Sequence, residues 1–339
     1  MPRPATGRIA AVLALGAPLL FACSPRGPRP VVVYTSVDQV FSEPVFRAFE
    51  QEAGVPVRAV FDTEETKSTG VLNRLIAEAG HPQADVFWSG DPVRPFLLVK
   101  RNLVEPYPSP RASGLPPGLR AEDGTWTGVA ARARVLLVNR GLVPTGDRPR
   151  SIRDLADPRF QGRAAIANPL FGTTTMHVAA LFVRWGDAEA RAFLDALKAN
   201  GVRIASSNGE VRLLVVRGEV AFGLTDTDDA NEAIAEGADV DVVYPDADGL
   251  GTLVMPTSVV LMARGPNPAA GRRLVDYLLS PDAERRMAEA AAHMPLRPGV
   301  PTPPGVTPLS DIRAMEVDYG RVAEEMERIQ PWLRQWSGL

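Results

Sequence analysis

Apolar positions along this chain recur in two alternating rhythms. Residues 31–34 read as a first strand that gives way to a Thr35-Ser36 turn, and Phe41, Val45, Phe46 and Phe49 then follow at helical spacing up to Gly54. Residues 55–61 read as a second strand. Val71, Leu72, Leu75 and Ile76 form a second helical pattern introduced by Lys67-Ser68-Thr69-Gly70, and residues 84–88 read as a third strand. A second series runs the same way, with strands at 163–167, 202–205 and 221–224 and helices at 175–185 and 211–216. Strands and helices alternating at these lengths predict a parallel α/β sheet. The runs at 135–138 and 253–262 read as strands passing between the two series, and the tail at 312–336 reads as largely helical. Pro-rich stretches at 108–117 and 295–308 read as loops. No sequence repeat points to a solenoid or propeller.

The first residues break this pattern. Arg3 and Arg8 precede an apolar run over 9–21, too short to span a bilayer as a mature helix and built like a secretory signal. The run ends Leu20-Phe21-Ala22-Cys23, and Cys23 is the only cysteine in the chain. This resembles the lipobox of bacterial lipoproteins, which implies a signal over 1–22 and a lipid on Cys23. Residues 23–30, rich in Pro and Arg, read as a stiff tether. With Cys23 acylated the mature body has no disulfide.

Length and charge narrow the class. The chain's 339 residues are enough for two compact lobes, and 45% hydrophobic with 23% charged residues is the composition of a soluble globular protein. A net charge of -3, with no basic run, excludes a nucleic-acid binder. Enzyme signatures are missing as well. His81, His177 and His293 have no partnered nucleophile in view, and there is no Gly-x-Ser-x-Gly, phosphate-binding P-loop or paired-histidine zinc motif.

One stretch carries unusual chemistry. FGLTDTDDANEAIAEG, residues 222–237, places Asp226, Asp228 and Asp229 within four positions at the start of a helical pattern. Carboxylates this dense either cap the helix or hold something positive. A calcium loop is excluded, because the central glycine is missing.

Four segments together resemble a known family. Val-Val-Val-Tyr-Thr-Ser at 31–36 looks like the opening strand of type II periplasmic solute-binding proteins, and Ala84-Asp85-Val86-Phe87-Trp88-Ser89 like their third strand. Val216-Arg217-Gly218-Glu219-Val220-Ala221-Phe222 resembles their short helix, Gly-Glu and strand. Leu278-Leu279-Ser280-Pro281-Asp282-Ala283-Glu284 resembles their late helix break. The branch resembled is the ferric-ion-binding proteins, whose relatives bind phosphonates and sugar phosphates. The resemblance implies an α/β fold of two lobes closing on a ligand in the cleft between them. One lobe is implied at 31–132 with 259–305, the other at 133–258 with 306–339. It also implies a periplasmic monomer serving the permease and ATPase of an ABC importer, with the membrane reached only through the lipid.

Site residues follow from the same resemblance. Ferric-ion binders use two adjacent tyrosines where this chain has Thr227-Asp228, a histidine where it has Asp38, and a glutamate where it has Gly90, next to Asp91. Asp38 and Asp228 are the implied metal ligands. Gly172, Thr173 and Thr174 occupy the place of a synergistic anion, and Asn208 that of an anion contact. Ser68 and Thr69 put hydroxyls at a second helix start, where N–H dipoles favour anions. Thr35, Asp91, Asp226 and Thr227 complete the expected ligand-binding set, and Arg132 and Arg134 stand just before a crossing strand to add positive charge. Two ligand classes stay open: a hard metal ion with a helper anion, or a phosphonate or phosphate ester whose cationic part meets the acidic run. An acid-pair hydrolase ranks third.

Overall fold

The computed structural model describes residues 1, 28–62 and 70–338. Cys23, Ser68 and Thr69 fall outside these residues, so the expected lipid site and the hydroxyls before the second helix are not part of the described structure.

In chain order the first elements are β1 (Val31–Thr35), α1 (Gln39–Ala53), β2 (Val57–Phe61), α2 (Gly70–Ala77), β3 (Val86–Ser89), α3 (Arg94–Val99), β4 (Val104–Glu105) and β5 (Thr127–Asn139). Then come β6 (Ala164–Ala167), α4 (Gly172–Trp185), α5 (Asp187–Ala199), β7 (Arg203–Ala205), α6 (Asn208–Val216), β8 (Phe222–Asp226), α7 (Thr227–Ala235) and β9 (Val240–Val243). The chain closes with β10 (Val254–Met262), α8 (Pro268–Leu278), α9 (Pro281–Ala291), β11 (Met294–Pro295) and α10 (Tyr319–Ser337).

The strand order makes two equivalent lobes. One runs β2-β1-β3-β10-β4 and the other β7-β6-β8-β5-β9. In each, three parallel strands meet an antiparallel strand lent by the other series. The two visiting strands, β5 and β10, pair with each other at the centre. The amino-acid sequence shows no repeat, yet the topology does. Helices cover the strands, which is why β1, β3, β6 and β8 are buried at every position. Helix α1 shows how the pattern encodes this: Val45, Phe46 and Phe49 form its buried face, and it stops at Gly54 with φ 63.

Strand β5 serves both lobes. Up to Ala133 it pairs with β10, and from Arg134 onward it pairs with β8. Strand β10 has its own irregularity between Pro256 and Ser258. A proline has no N–H for a ladder, so it sits where the pairing is already broken.

Several boundaries differ from the sequence reading. The crossing strand expected at 135–138 begins at Thr127, and its earlier part carries alanines and arginines in place of a bulky apolar run. Helices α4 and α6 begin three residues before their expected starts at 175 and 211, at Gly172 and Asn208. Helix α5 and strand β9 are additional to the expected elements. The tail becomes helical at Tyr319 rather than 312, where the Asp318 carboxylate accepts from the N–H groups of Gly320 and Arg321. The late helix break stands as expected: α8 ends at Leu278, and Ser280 caps α9 by accepting from Ala283.

Candidate functional site

The acidic run lies where β8 turns into α7, and within it Asp228 Oδ1 accepts from the first-turn N–H of Asp229 at 3.2 Å. Asp226 occupies the N-cap position but makes no side-chain cap bond. Its partner comes from the neighbouring strand, because the β5–β8 register sets Arg134 directly opposite Asp226. The Arg134 side chain is fully buried and its Nη1 donates to Asp226 Oδ1 at 2.5 Å. The same nitrogen donates to Thr173 Oγ1 and Asn208 Oδ1, each at 3.0 Å, while Nη2 reaches Thr174 Oγ1 at 3.1 Å. Asp226 Oδ2 accepts from Thr173 Oγ1 at 3.0 Å and Asn208 Nδ2 at 3.3 Å. Four of the residues singled out in the sequence, Thr173, Thr174, Asn208 and Asp226, therefore meet around one arginine. A buried ion pair needs this saturation, since desolvating both charges otherwise costs more than their attraction returns.

A second arginine extends the cluster across the cleft. Arg132 lies two residues before Arg134 on β5, hence on the same sheet face. Its Nη1 donates to Asp228 Oδ2 at 2.9 Å, and its Nη2 donates to the Gly90 carbonyl, after β3 of the other lobe, at 3.0 Å. Asp226 Oδ2 stands 3.5 Å from the same Nη1. Arg132 thereby ties the β3 turn of one lobe to the α7 start of the other. Burial opposes its charge, but Asp228 and Asp226 outweigh that, so its pKa lies above the usual value. Burial also opposes ionisation of Asp228, and Arg132 outweighs it, leaving that carboxyl below its usual pKa. Asp229 has no arginine of its own. Burial, then the charges of Asp228 and Asp226, push its pKa up to about 7, although Thr225 Oγ1 donates to it at 2.9 Å.

Three carboxylates thus face two guanidinium groups. Ligand oxygens of Asp226, Asp228 and Asp229 all lie within 4.8 Å of one another. Yet several polar atoms in the cluster have no partner among the described residues: the Nε atoms of Arg132 and Arg134 and Nδ1 of His293 are buried and make no hydrogen bond there. His293 has no partnered nucleophile in the sequence and no other sign there of a place in the site. It is 4% exposed, and burial, followed by the charge of Arg132, holds its pKa down at about 3, so the ring is neutral at neutral pH.

Several of the remaining expected residues have local partners. Thr35 Oγ1 donates to the Trp88 carbonyl at 2.8 Å and accepts from Val37 N–H at 3.0 Å, shaping the β1–α1 turn. Thr227 Oγ1 accepts from Ala133 N–H at 3.2 Å, where β5 changes partners. Asp91 pairs with Arg94 and accepts from the N–H groups of Val93 and Arg94, so it acts as a cap for α3. Asp38 is half-buried at the N-cap of α1. Gly90 leaves no room for a ligand side chain, because a Cβ there would stand 2.9 Å from the Ser36 carbonyl oxygen. Gly172 opens α4 with φ 59.

Comparison with known proteins agrees with this architecture. The sequence profile of a family described as bacterial extracellular solute-binding protein matches residues 30–290. Iron uptake protein A1 of Synechocystis sp. is 26% identical over 322 residues, covering 88% of each chain. A putative 2-aminoethylphosphonate-binding periplasmic protein of Salmonella typhimurium is 26% identical over 337 residues, covering 96% of this chain and 93% of that one. Among solved structures, iron-bound HitA from Pseudomonas aeruginosa superposes with a TM-score of 0.80 at 22% identity, over 90% of this chain and 99% of HitA. These are binding proteins, and the shared fold is the two-lobed type II fold. Two lobes of equivalent topology, a polar cluster where they meet and a family match over most of its length make this chain a member of the bacterial extracellular solute-binding protein family.

Proposed function

We propose that this protein captures a phosphonate or phosphate ester bearing a cationic group and passes it to the permease and ATPase of an ABC importer. The observation that carries this reading is Arg132, partly exposed in the cleft with a buried, unpartnered Nε. A guanidinium so placed suits the oxygens of a phosphonate, which accept bidentate donors. Asp229, the carboxylate of the run that pairs with neither arginine, suits the cationic end. The Salmonella relative is named for a ligand with both groups. Tyrosinates are lacking for the alternative. All five tyrosines bond elsewhere: Tyr34 to Glu78, Tyr107 to Asp276, Tyr244 to Thr307, Tyr277 to Asp282 and Tyr319 to the Val254 carbonyl.

A second reading has its own support. The 4.8 Å acidic cluster and the iron-related names of two relatives favour a hard metal ion with a helper anion. In that reading Asp38 and Asp228 are metal ligands and Gly172 to Thr174 hold the anion. It requires Arg132 to leave Asp228, since a ferric ion beside two guanidinium groups is repelled. Membrane anchoring through Cys23, and lobes divided at 132/133, 258/259 and 305/306, complete the proposal.

Calorimetric titration with 2-aminoethylphosphonate and with ferric citrate separates the readings. The phosphonate is expected to bind, and Arg132→Met to weaken it about tenfold or more, the worth of a charge-assisted contact of roughly 1.5–3 kcal/mol. Binding of ferric citrate alone, undiminished in Arg132→Met, overturns the phosphonate reading.

A further inference from the structure

His293 stands at the end of a ladder that the candidate site uses. Helix α9 ends at Ala291, and Ala292, in the left-handed region with φ 51, turns the chain into β11. Strand β11 then pairs antiparallel with β5, Met294 opposite Ala131 and Pro295 opposite Ala130. Continuing that register by one residue sets His293 opposite Arg132. Directly opposed residues in an antiparallel pair project to the same face, with their Cβ atoms about 4.5–5.5 Å apart. That face already carries Arg132 and Arg134, which are two residues apart on β5, and Asp226, which is opposite Arg134. His293 is close enough to both Arg132 and Asp228 for their charges to act on its ring.

Its environment does not explain a buried imidazole. Buried polar atoms are nearly always hydrogen-bonded, and an orphaned one carries its full desolvation cost. His293 Nδ1 is buried with no partner among the described residues, directly across from an arginine whose own Nε is likewise unpartnered. Apolar packing at this position is better served by the leucines and valines used elsewhere in the sheet. On two opposed residues, these unpartnered nitrogens are placed to meet one ligand group.

We propose that His293 is a further ligand-contacting residue of the cleft, its imidazole hydrogen-bonding an oxygen of the same anionic group that Arg132 receives. The inference rests on the proposed function and extends it, because a neutral ring beside Arg132 selects an oxyanion by hydrogen bonding without adding charge. His293 then joins a phosphonate oxygen to β11, while Arg132 joins it to β5.

The test compares His293→Leu, which removes the hydrogen-bonding atom, with His293→Asn, whose amide puts a polar atom near the place of Nδ1. Each variant is first checked for an unchanged melting transition, then titrated with 2-aminoethylphosphonate. The expected result is an affinity loss of about tenfold or more for His293→Leu and a loss within about threefold for His293→Asn. In the wild type, the ¹⁵N resonances of the His293 ring should shift on saturation. A wild type that binds ferric citrate and no phosphonate refutes the ligand class, and His293 is then judged by the same variants and ring signals with ferric citrate. Equal affinity of His293→Leu and wild type for the probe that binds, or a wild type that binds neither, overturns the assignment.

Discussion

Exchanging both members of the Arg134–Asp226 pair tests the core of the site as structure rather than as list. Arg134 is 0% exposed and Asp226 2% exposed, so neither charge has access to bulk water. Arg134→Met removes five donated hydrogen bonds, to Thr173, Asn208, Asp226, Thr174 and the Leu224 carbonyl, and leaves the Asp226 carboxylate buried. Breaking a buried pair from one side costs about 3–5 kcal/mol, because the surviving charge is uncompensated. Arg132 Nη1, 3.5 Å from Asp226, offsets part of that, so the lower end applies. Asp226→Leu strands Arg134 and costs a similar amount. The double variant removes both charges and should lie within about 2 kcal/mol of wild type, although the two single costs sum to about 6 kcal/mol. Guanidinium unfolding followed by tryptophan fluorescence measures each corner of the cycle. Single variants that cost under about 1 kcal/mol each, or a double variant equal to their sum, would refute the idea that this pair is a coupled buried unit.

Three further outcomes are expected. Asp229 has its pKa raised to about 7 against an ordinary value near 3.9, so between about pH 4 and 7 the folded chain holds a proton that the unfolded chain has released. Stability therefore falls as pH rises through that window, and Asp229→Asn should flatten the fall; an unchanged slope in melting temperature against pH contradicts this. Ala133/Arg134 on β5 and Pro256/Ser258 on β10 should act as hinges, since β5 changes partner at the first and the β10 register shifts at the second. X-ray scattering should show compaction on saturation with ligand, and superimposable profiles would count against a closing cleft. Cys23→Ala should release the protein from membranes, and retention of the variant would remove the lipid anchor from the account.

Much of the frame was legible because it depends on periodicity. Residues 31–34 and 84–88 announce buried strands by apolar runs, and Ser280-Pro281 announces a helix start by capping chemistry. Part of the central strand was hidden for the opposite reason. Ala130 to Arg134 carries only alanines and arginines, too weakly apolar to read as core, and pairing with β8 and β10 buries all of it but Arg132. The acidic run was recognised, but its partner was not. Carboxylates at a helix start look like caps, and nothing local indicates that Arg134, 92 positions earlier, lies opposite Asp226. His293 left no local signal. Its place depends on a two-residue strand whose register with β5 exists only in the fold. An unexplained buried arginine in a strand was the one available clue, because such a residue requires a carboxylate partner.

The identity of the ligand is the central claim, and elemental and mass analysis of the protein as purified, under non-denaturing conditions, tests it most directly. Phosphorus close to one atom per chain, with a small oxyanion released on unfolding and iron absent, is the result the two-arginine cleft predicts. Iron close to one atom per chain without phosphorus would contradict it.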